Sequence, residues 1–150
     1  MEVLARCWHA AGMATRFGIT VDCANPATLG AFWCAVLGYE EEPAPAGFPN
    51  WASYDLANGI SVEQANAGMT IVDPAGTGPR IYFQRVPEPK VSKNRWHLDV
   101  VAAATAASGL AAAVSAAESL GARVLRRSTD ASDVFVVLAD PEGNEFCLVT

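Results

Sequence analysis

The residues of this sequence that are best suited to chemistry are a histidine and an aspartate two positions apart, His97 and Asp99. They lie in the run RWHLDVV, whose polar and apolar residues alternate as they do in a half-buried strand. Side chains two apart in a strand point to the same face, so this pair projects away from Leu98 and Val100. A histidine, with an ordinary pKa near ~6.5, can serve as a general base or a metal ligand; the alternative is a cavity-wall histidine that only forms a hydrogen bond. Asp99 either orients a group in a cleft or pairs with a basic side chain such as Arg95.

The composition indicates one globular domain whose partners are neither nucleic acids nor membranes. Hydrophobic residues make up 51% of the 150 residues and charged residues 17%, which supplies enough apolar surface for a packed interior. The net charge of −6 argues against nucleic acid, because contacts to phosphates need clusters of Lys and Arg. No apolar run approaches the ~18 residues that a membrane-spanning helix needs.

The cysteines and the N-terminal segment predict a cytoplasmic protein. Reduced thiols are expected, because no C-x-x-C pair and no regular framework links the four cysteines, which are Cys7, Cys23, Cys34 and Cys147. Residues 1–15 lack the continuous apolar core of a signal peptide. We interpret them as an N-terminal extension, with Met13 as an alternative start.

The first predicted elements are a strand and a well-bounded helix. Residues 17–22 alternate with the period of a half-buried strand. Asn25 is a favoured N-cap, Pro26 a favoured first helical residue, and Gly38 stands where a C-terminal cap belongs. The apolar residues between these caps fall at helical spacing: Leu29, Phe32, Trp33, Val36 and Leu37.

The next part of the chain predicts a loop, a hairpin and a closing strand. An irregular loop rich in Glu, Pro and Gly follows the helix. Residues 52–56 and 60–64 are predicted to be two strands joined by a tight Asn58-Gly59 turn. Residues 65–79 are predicted to be mostly loop, and residues 81–86 to be a strand.

The second half repeats this order of elements. A strand over residues 97–101 and a helical stripe that ends at Gly121 precede three further strands, whereas residues 102–108 are ambiguous. The three strands are predicted over residues 123–126, 134–138 and 145–149.

An internal repeat organises the whole chain. The turn ADPEG near the end of the second half matches VDPAG in the first, and a repeat of this kind weighs more than any single motif. Each copy reads as a strand, a helix and three strands. The sequence therefore predicts an α+β fold of two βαβββ modules, residues 16–86 and 95–150, joined by a linker over residues 87–94. Their open faces are expected to curve around a shared cleft.

Together these segments resemble the vicinal oxygen chelate (VOC) superfamily, most closely its glyoxalase-like and bleomycin-resistance-like domains. The resemblance covers roughly residues 16–150 and is carried by DCANP leading to FW, LGY, YFQRVPEPK, KNRWHLD and DPEGNEFC. It implies paired modules whose curved sheets enclose a cavity. Metal-dependent members place four ligands there, on the first and last strands of each module, whereas metal-free members bind drugs such as bleomycin.

The resemblance also assigns candidate ligand positions. His97 takes the position on the first strand of module two, and Gln84 that on the last strand of module one. The first-strand position of module one falls at Arg16, or at Phe17 if the register slips by one, and neither is a usable divalent ligand. Cys147 takes the last-strand position of module two, with Glu145 two residues earlier on the same face.

Two functions remain open from the sequence. The first is binding of a small organic molecule in the inter-module cavity, without an intact metal quartet and with no cofactor. The alternative is a glyoxalase-type lyase or isomerase acting on vicinal oxygens, with zinc, nickel, manganese or iron held by His97, Gln84 and Glu145. Both His97 and Glu145 are then candidates for moving the proton. The resemblance implies a homodimer in either case. The expected cavity residues are Arg16, Thr20, Trp51, Tyr54, Tyr82, Gln84, Asp99 and Cys147.

Overall fold

The computed structural model describes residues 16–102, 109–128, 130 and 134–150. The predicted N-terminal extension, with Met13 and Cys7, and most of the ambiguous segment lie outside the described residues. Within them the elements in chain order are β1 (Gly18–Cys23), α1 (Pro26–Leu37), β2 (Glu40–Glu41), α2 (Trp51–Asn58), α3 (Val62–Ala65), β3 (Gly68–Val72), β4 (Arg80–Arg85), β5 (Asp99–Val101), α4 (Gly109–Ser119), β6 (Arg123–Arg127), β7 (Phe135–Ala139) and β8 (Glu145–Val149).

Each half of the chain forms one four-stranded mixed sheet. The strand orders are β1-β4-β3-β2 and β5-β8-β7-β6. In each sheet the first and last strands of the module, β1 with β4 and β5 with β8, run parallel, and the other neighbours run antiparallel. The prediction of an α+β fold with two curved sheets and accompanying helices is confirmed.

Helix α1 has the caps that its sequence predicts. The Asn25 side chain accepts the N–H of Thr28 at 3.2 Å, Pro26 is the first helical residue, and Gly38 ends the helix in the left-handed region at φ 70°. The predicted stripe contributes the fully buried Leu29, and α1 packs against β3 and β4. Helix α1 therefore covers one face of the first sheet.

The predicted hairpin is wrong, because its two arms form helices α2 and α3. The Asn50 side chain accepts the N–H of Ser53 at 2.9 Å and caps α2, and Gly59 ends that helix at φ 67° instead of turning a hairpin. Ser61 and Gln64 form a reciprocal capping box at the start of α3. These local caps outweigh the short alternation of apolar residues on which the hairpin prediction rested.

The missing strand comes later, inside the segment predicted to be loop. Strand β3 pairs antiparallel with β4, and Ile71 is fully buried beside its partner Ile81. Its sequence, GMTIV, begins with glycine and does not alternate clearly, which is why the pattern gave no signal. Module one therefore keeps four strands, but its second and third strands are β2 and β3.

Strand β5 is shorter than predicted and begins at Asp99, after His97 and Leu98. The Leu98 carbonyl still accepts the N–H of Cys147 at 2.9 Å. This bond keeps His97 beside β8 at the entrance to the strand.

Three aromatic rings join the two modules. Phe32 and Trp33 of α1 and Phe146 of β8 meet edge to face, with centroid distances of 5.5, 6.0 and 5.0 Å. All three residues are buried, and edge-to-face contacts of this kind stabilise beyond the area they bury. The core is therefore continuous from one module to the other.

Polar contacts reinforce the same joint. Trp33 Nε1 donates to Asp140 Oδ2 at 3.3 Å, and the two carboxylate oxygens of Glu142 accept the N–H groups of Ala24 and Asn25, both at 2.7 Å. Glu142 therefore lies at the N-terminus of α1, where a negative charge is favourable. The second copy of the Asp-Pro-x-Gly turn thus holds the first helix of the first copy.

The first copy of that turn is satisfied within itself. The Asp73 carboxylate accepts the N–H groups of Ala75, Thr77 and Gly78 at 2.9, 2.9 and 2.7 Å. These bonds hold the Asp73 pKa far below its usual range, the Thr77 hydroxyl contributing most. Asp140, in contrast, is 4% exposed. The repeated turn is therefore used differently in the two modules.

Candidate functional site

Two cavities meet at His97 and Glu145. One, of about 300 Å³, lies between the modules and is lined by both β1 and the segment before β5. The other, of about 350 Å³, lies on the open face of the second sheet and is called the module-two cleft below. His97 and Glu145 are the two residues that line both, and Thr20 lines the inter-module cavity. Two of the residues singled out in the sequence therefore stand where the cavities join.

The module-two cleft contains a compact group of metal-binding donor types. His97 Nε2 lies 3.2 Å from Asp99 Oδ1, and one donor atom from each of His97, Asp99 and Cys147 falls within 4.8 Å of the others. Asp99 and Cys147 are register partners on the parallel strands β5 and β8, which explains why they meet. The His97 and Asp99 side chains are 39% and 63% exposed, whereas Cys147 is buried.

This donor set fits a divalent metal ion. Imidazole nitrogen, carboxylate oxygen and thiolate sulfur are the ligand types of zinc, and three protein ligands with an open fourth position are typical of catalytic sites. Burial raises the pKa of the Cys147 thiol, and the hydrogen bond and charge of Asp99 raise it further. The thiol therefore keeps its proton at neutral pH unless a metal displaces it.

Glu145 is tied to the linker as well as lining both cavities. Its Oε2 accepts the N–H of Asn94 at 2.9 Å and lies 3.3 Å from Lys90 Nζ. The Asn94 N–H, followed by Lys90, lowers the pKa of this carboxyl group. A carboxylate with a lowered pKa is a weak base, so these contacts favour a positioning role over proton transfer.

Gln84 and Arg16 are not among the residues that line these two cavities. Gln84 lies on β4 beside its parallel partner Asp22, and its Nε2 donates to Asp22 Oδ1 at 2.9 Å. Arg16 is exposed ahead of β1. The structure therefore groups His97 with Asp99 and Cys147, and places Gln84 in the other sheet.

The three aromatic cavity candidates lie together in module one. Trp51, Tyr54 and Tyr82 line a pocket of about 320 Å³ that also includes Arg80 and shares no lining residue with the module-two cleft. Trp51 Nε1 donates to the Glu42 carbonyl at 2.6 Å, and its ring meets Tyr54 edge to face at 5.6 Å. Within one chain, these aromatics and the histidine cluster line separate pockets.

Arg126 is one of the module-two cleft residues that were missed in the sequence. Arg126 lines this cleft, and its guanidinium lies 5.0 Å from the centre of the Phe135 ring. The available signal was the adjacent pair Arg126-Arg127 at the end of the strand predicted over residues 123–126. Adjacent side chains of a strand point to opposite faces, so if the strand continues to Arg127 one arginine faces each side. Simple alternation from Val124 would have assigned Arg126 to the wrong face.

Among the described residues, no helix is long and apolar enough to span a bilayer.

Comparison with solved structures places the fold among known proteins. A glyoxalase/bleomycin resistance protein/dioxygenase family enzyme from Burkholderia phytofirmans matches with a TM-score of 0.58 at 16% identity, over 87% of this chain and 93% of that one. A mutant of the fosfomycin resistance protein FosX from Listeria monocytogenes, complexed with Mn(II) and 1S,2S-dihydroxypropylphosphonic acid, matches with a TM-score of 0.60 at 10% identity, over 92% and 90%. A protein described as a possible glyoxalase from Bacillus cereus matches with a TM-score of 0.60 at 10% identity, over 92% and 100%. At these identities the likeness shows a shared fold.

Comparison with curated proteins finds no match. The sequence profile of the glyoxalase-like domain matches residues 18–149, nearly the whole described chain. The sequence motifs, the two mixed sheets and this match agree, and the chain therefore belongs to the glyoxalase-like domain family within the glyoxalase/bleomycin resistance/dioxygenase (VOC) group.

Proposed function

We propose that this protein binds a small organic molecule across the inter-module cavity and the module-two cleft, in contact with His97 and Glu145, and needs no metal to do so. The observation that carries the proposal is that two adjoining cavities, of about 300 and 350 Å³, share these two residues. Ligand sites in proteins are usually concave, occupy ~300–1,000 Å³, and combine apolar walls with a few polar groups.

The lining has this mixed character. The inter-module cavity is bounded by the apolar side chains of Ile19, Trp33 and Phe83, and by the 62% exposed Trp96. Planar or apolar parts of a ligand pack against such surfaces. Polar groups, among them the shared His97 and Glu145, also line the cavity and would fix the orientation of the ligand.

His97 supplies the directional contact. When its Nε2–H donates to Asp99, the neutral ring presents Nδ1 as an acceptor toward a hydroxyl or amide of the ligand. Asp99 thus sets the orientation of the imidazole, while the contacts of Glu145 with the linker hold the adjacent wall in place.

Ligand screening against matched variants tests this function. Compounds that raise the melting temperature and quench tryptophan fluorescence are expected to bind about tenfold more weakly to His97→Ala, by loss of one buried hydrogen bond. Asp55→Asn, in the module-one pocket, is the control and is expected to leave affinity unchanged. Ligands that are lost in Asp55→Asn but retained in His97→Ala would place the binding site in module one and contradict the proposal.

A metal-dependent lyase or isomerase is the second candidate, favoured by the donor cluster. His97, Asp99 and Cys147 would hold the zinc, nickel, manganese or iron ion, in place of the His97, Gln84 and Glu145 set expected from the sequence. A divalent ion supplies Lewis-acid polarisation of a carbonyl or hydroxyl oxygen of a substrate with vicinal oxygens. Glu145 would orient that substrate from the adjoining wall.

Metal analysis separates the two candidates. If the second holds, protein purified without chelator contains about one metal ion per chain, which is lost in Cys147→Ala and His97→Ala and retained in Gln84→Ala. Metal-free protein that still binds ligands supports the first candidate. Retention of metal in Cys147→Ala with loss in Gln84→Ala would favour the ligand set expected from the sequence.

We also propose a cytoplasmic homodimer, in which module one of one chain covers the module-two cleft of the other. Large apolar side chains stand exposed, including Phe17 at 71% and Val101 at 68%, and apolar surface of this kind is typical of interaction sites. Light scattering is expected to give twice the chain mass of 15.8 kDa. A species of single-chain mass at all concentrations would contradict the dimer.

A further inference from the structure

We propose that the module-two cleft binds its ligand through an anionic group, held by Arg126 and Lys93, so that the natural ligands are small organic acids or phospho compounds. This inference rests on the proposed function and specifies the chemical class of the ligand. It concerns two residues that line the same cleft as the His97–Asp99–Cys147 cluster.

A β-bulge directs Arg126 into the cleft. Along β6 the register runs from Val124, opposite Leu138, directly to Arg126, opposite Val137, so Leu125 is the extra residue. Without the bulge, Arg126 would share the core-facing side of Val124, because residues two apart share a face. Bulges of this kind often re-aim a side chain next to a functional site.

The bulge completes a row of four residues across the sheet. The register pairs Asp99 with Cys147, Cys147 with Val137, and Val137 with Arg126, so the row crosses β5, β8, β7 and β6. Strands lie ~4.8 Å apart, which sets the backbones of Arg126 and Cys147 ~10 Å from each other. A small ligand between them can touch the imidazole cluster at one end and the guanidinium at the other.

Within the described part of the chain, neither of these two cations is paired with a carboxylate. Among the residues that the structure describes, the ion pairs are Arg80 with Glu42 and Lys90 with Glu145, whereas His97 forms one with Asp99 only when its imidazole is protonated. Glu145 therefore has a cationic partner of its own and Asp99 a hydrogen-bonding one, while no described residue forms an ion pair with Arg126 or Lys93. Both cations line the cleft.

Phe135 fixes the guanidinium in place. The Arg126 Cζ lies 5.0 Å from the ring centroid, within the range of a cation–π contact. When a guanidinium stacks with its face on an aromatic ring, its N–H edge remains available to a ligand. That edge matches the two oxygens of a carboxylate or phosphate, which is the geometry of bidentate anion recognition.

Titration of anion–neutral pairs tests the inference. The probes are inorganic phosphate, lactate and the uncharged lactamide, at constant ionic strength set with sodium chloride because salt screens exposed charges. Binding is followed by NMR shifts of the His97 ring protons. We expect lactate to bind at least about tenfold more tightly than lactamide, and Arg126→Gln to weaken lactate and phosphate by about tenfold or more.

Arg127→Gln is the matched control, because Arg127 is adjacent on β6 and pairs with the buried Val136 of the opposite face. This variant removes the same charge and is expected to leave the affinities for lactate and phosphate within about twofold of those of the unchanged protein. Arg126→Lys keeps the positive charge but lacks the paired N–H donors of a guanidinium. An affinity between those of the unchanged protein and Arg126→Gln would support bidentate binding. Circular dichroism and urea unfolding show that the variants are folded.

Four outcomes would overturn the inference. Equal affinities for lactate and lactamide would show that charge is not recognised, and equal losses in Arg126→Gln and Arg127→Gln would show only a general charge effect. If neutral ligands from the screen bind in a His97-dependent manner and neither anion binds, the inference fails while the proposed function stands. If no ligand of either kind binds, both fail.

Discussion

Replacing Glu142 by alanine should loosen the joint between the two modules. The Glu142 carboxylate accepts the N–H of Ala24 and of Asn25, both at 2.7 Å, although it lies more than a hundred residues away in the sequence. Asn25 is also the N-cap residue of α1. The substitution therefore removes a contact between modules and a helix-terminal charge in one step.

The expected cost is about 2 kcal/mol. A hydrogen bond to a charged group stabilises by roughly 1.5–3 kcal/mol, and a negative charge at a helix N-terminus by about 0.3–1 kcal/mol. Both bonds are exposed to solvent, so water replaces the lost acceptor and screening reduces the effect, which leaves a total near the lower end. For a domain of this size that corresponds to a fall in melting temperature of roughly 4–8 °C.

Urea unfolding followed by circular dichroism measures this cost. The Gln side chain of Glu142→Gln retains one carbonyl oxygen and accepts one N–H instead of two. This variant is therefore expected to lose about half as much unfolding free energy as Glu142→Ala, roughly 1 kcal/mol. Glu88→Ala is the control, because Glu88 is an exposed linker residue with no side-chain hydrogen bond among the described residues. The slope of the unfolding free energy against urea concentration is expected to stay the same, because the substitution does not change the surface area that unfolding exposes.

A loss in Glu142→Ala within about 0.5 kcal/mol of the Glu88→Ala value would refute the reasoning, because changes of that size are typical of ordinary surface substitutions. The carboxylate would then be a bystander at the helix terminus, and the aromatic contacts alone would hold the modules together.

Three further predictions concern single residues. The lowered pKa of Glu145 means that its stabilising effect is present above its ordinary pKa of 4.5 and is lost as the pH falls through the lowered value. Glu145→Gln should therefore reduce the loss of unfolding free energy between about pH 5 and 3. An unchanged dependence of the unfolding free energy on pH in this range would contradict the prediction. Asp99→Asn should lower the pKa of the Cys147 thiol and speed its alkylation by iodoacetamide several-fold at mildly alkaline pH, as measured by peptide mass spectrometry. An unchanged alkylation rate would show that Asp99 does not raise the pKa of Cys147. Trp33→Phe leaves the buried Asp140 carboxylate with one donor fewer and should cost about 1–3 kcal/mol in urea unfolding, whereas a cost below about 0.5 kcal/mol would show that the bond contributes little.

Elements with strong local signals were predictable from the sequence. Helix α1 has an N-cap, an initial proline and a terminal glycine at Asn25, Pro26 and Gly38, and each acts as its chemistry predicts. The repeat of the Asp-Pro-x-Gly turn gave the two-module plan because turns of this kind depend on only a few neighbouring residues. These predictions needed no knowledge of distant contacts.

The segment after α1 was not predictable in the same way. The arms of the expected hairpin are short, and a few alternating residues suit a strand or a helix until their caps are recognised. Strand β3 is defined by pairing with β4, and its residues give little indication of this on their own. Tertiary context determines both elements.

The candidate site was predictable only in part. The pairing of His97 with Asp99 follows from strand periodicity, whereas the approach of Cys147 depends on the parallel register of β5 and β8. Gln84 was selected by resemblance, but its sheet position beside Asp22 keeps it apart from the cluster. Arg126 enters the cleft because of a bulge, which alternation along a single strand does not reveal.

Substitutions in the two Asp-Pro-x-Gly turns are expected to have unequal effects, although the turns share one sequence pattern. Asp73 is bonded only within its own loop, so a substitution there disturbs one turn. Asp140 is buried and bonded to Trp33, so the same substitution disturbs the connection between two modules and the wall of a cavity. If the halves arose by duplication, one copy of the motif remained replaceable while the other became constrained by its neighbours. Sequence drift in descendants of this chain should therefore erase the repeat from the first module before the second.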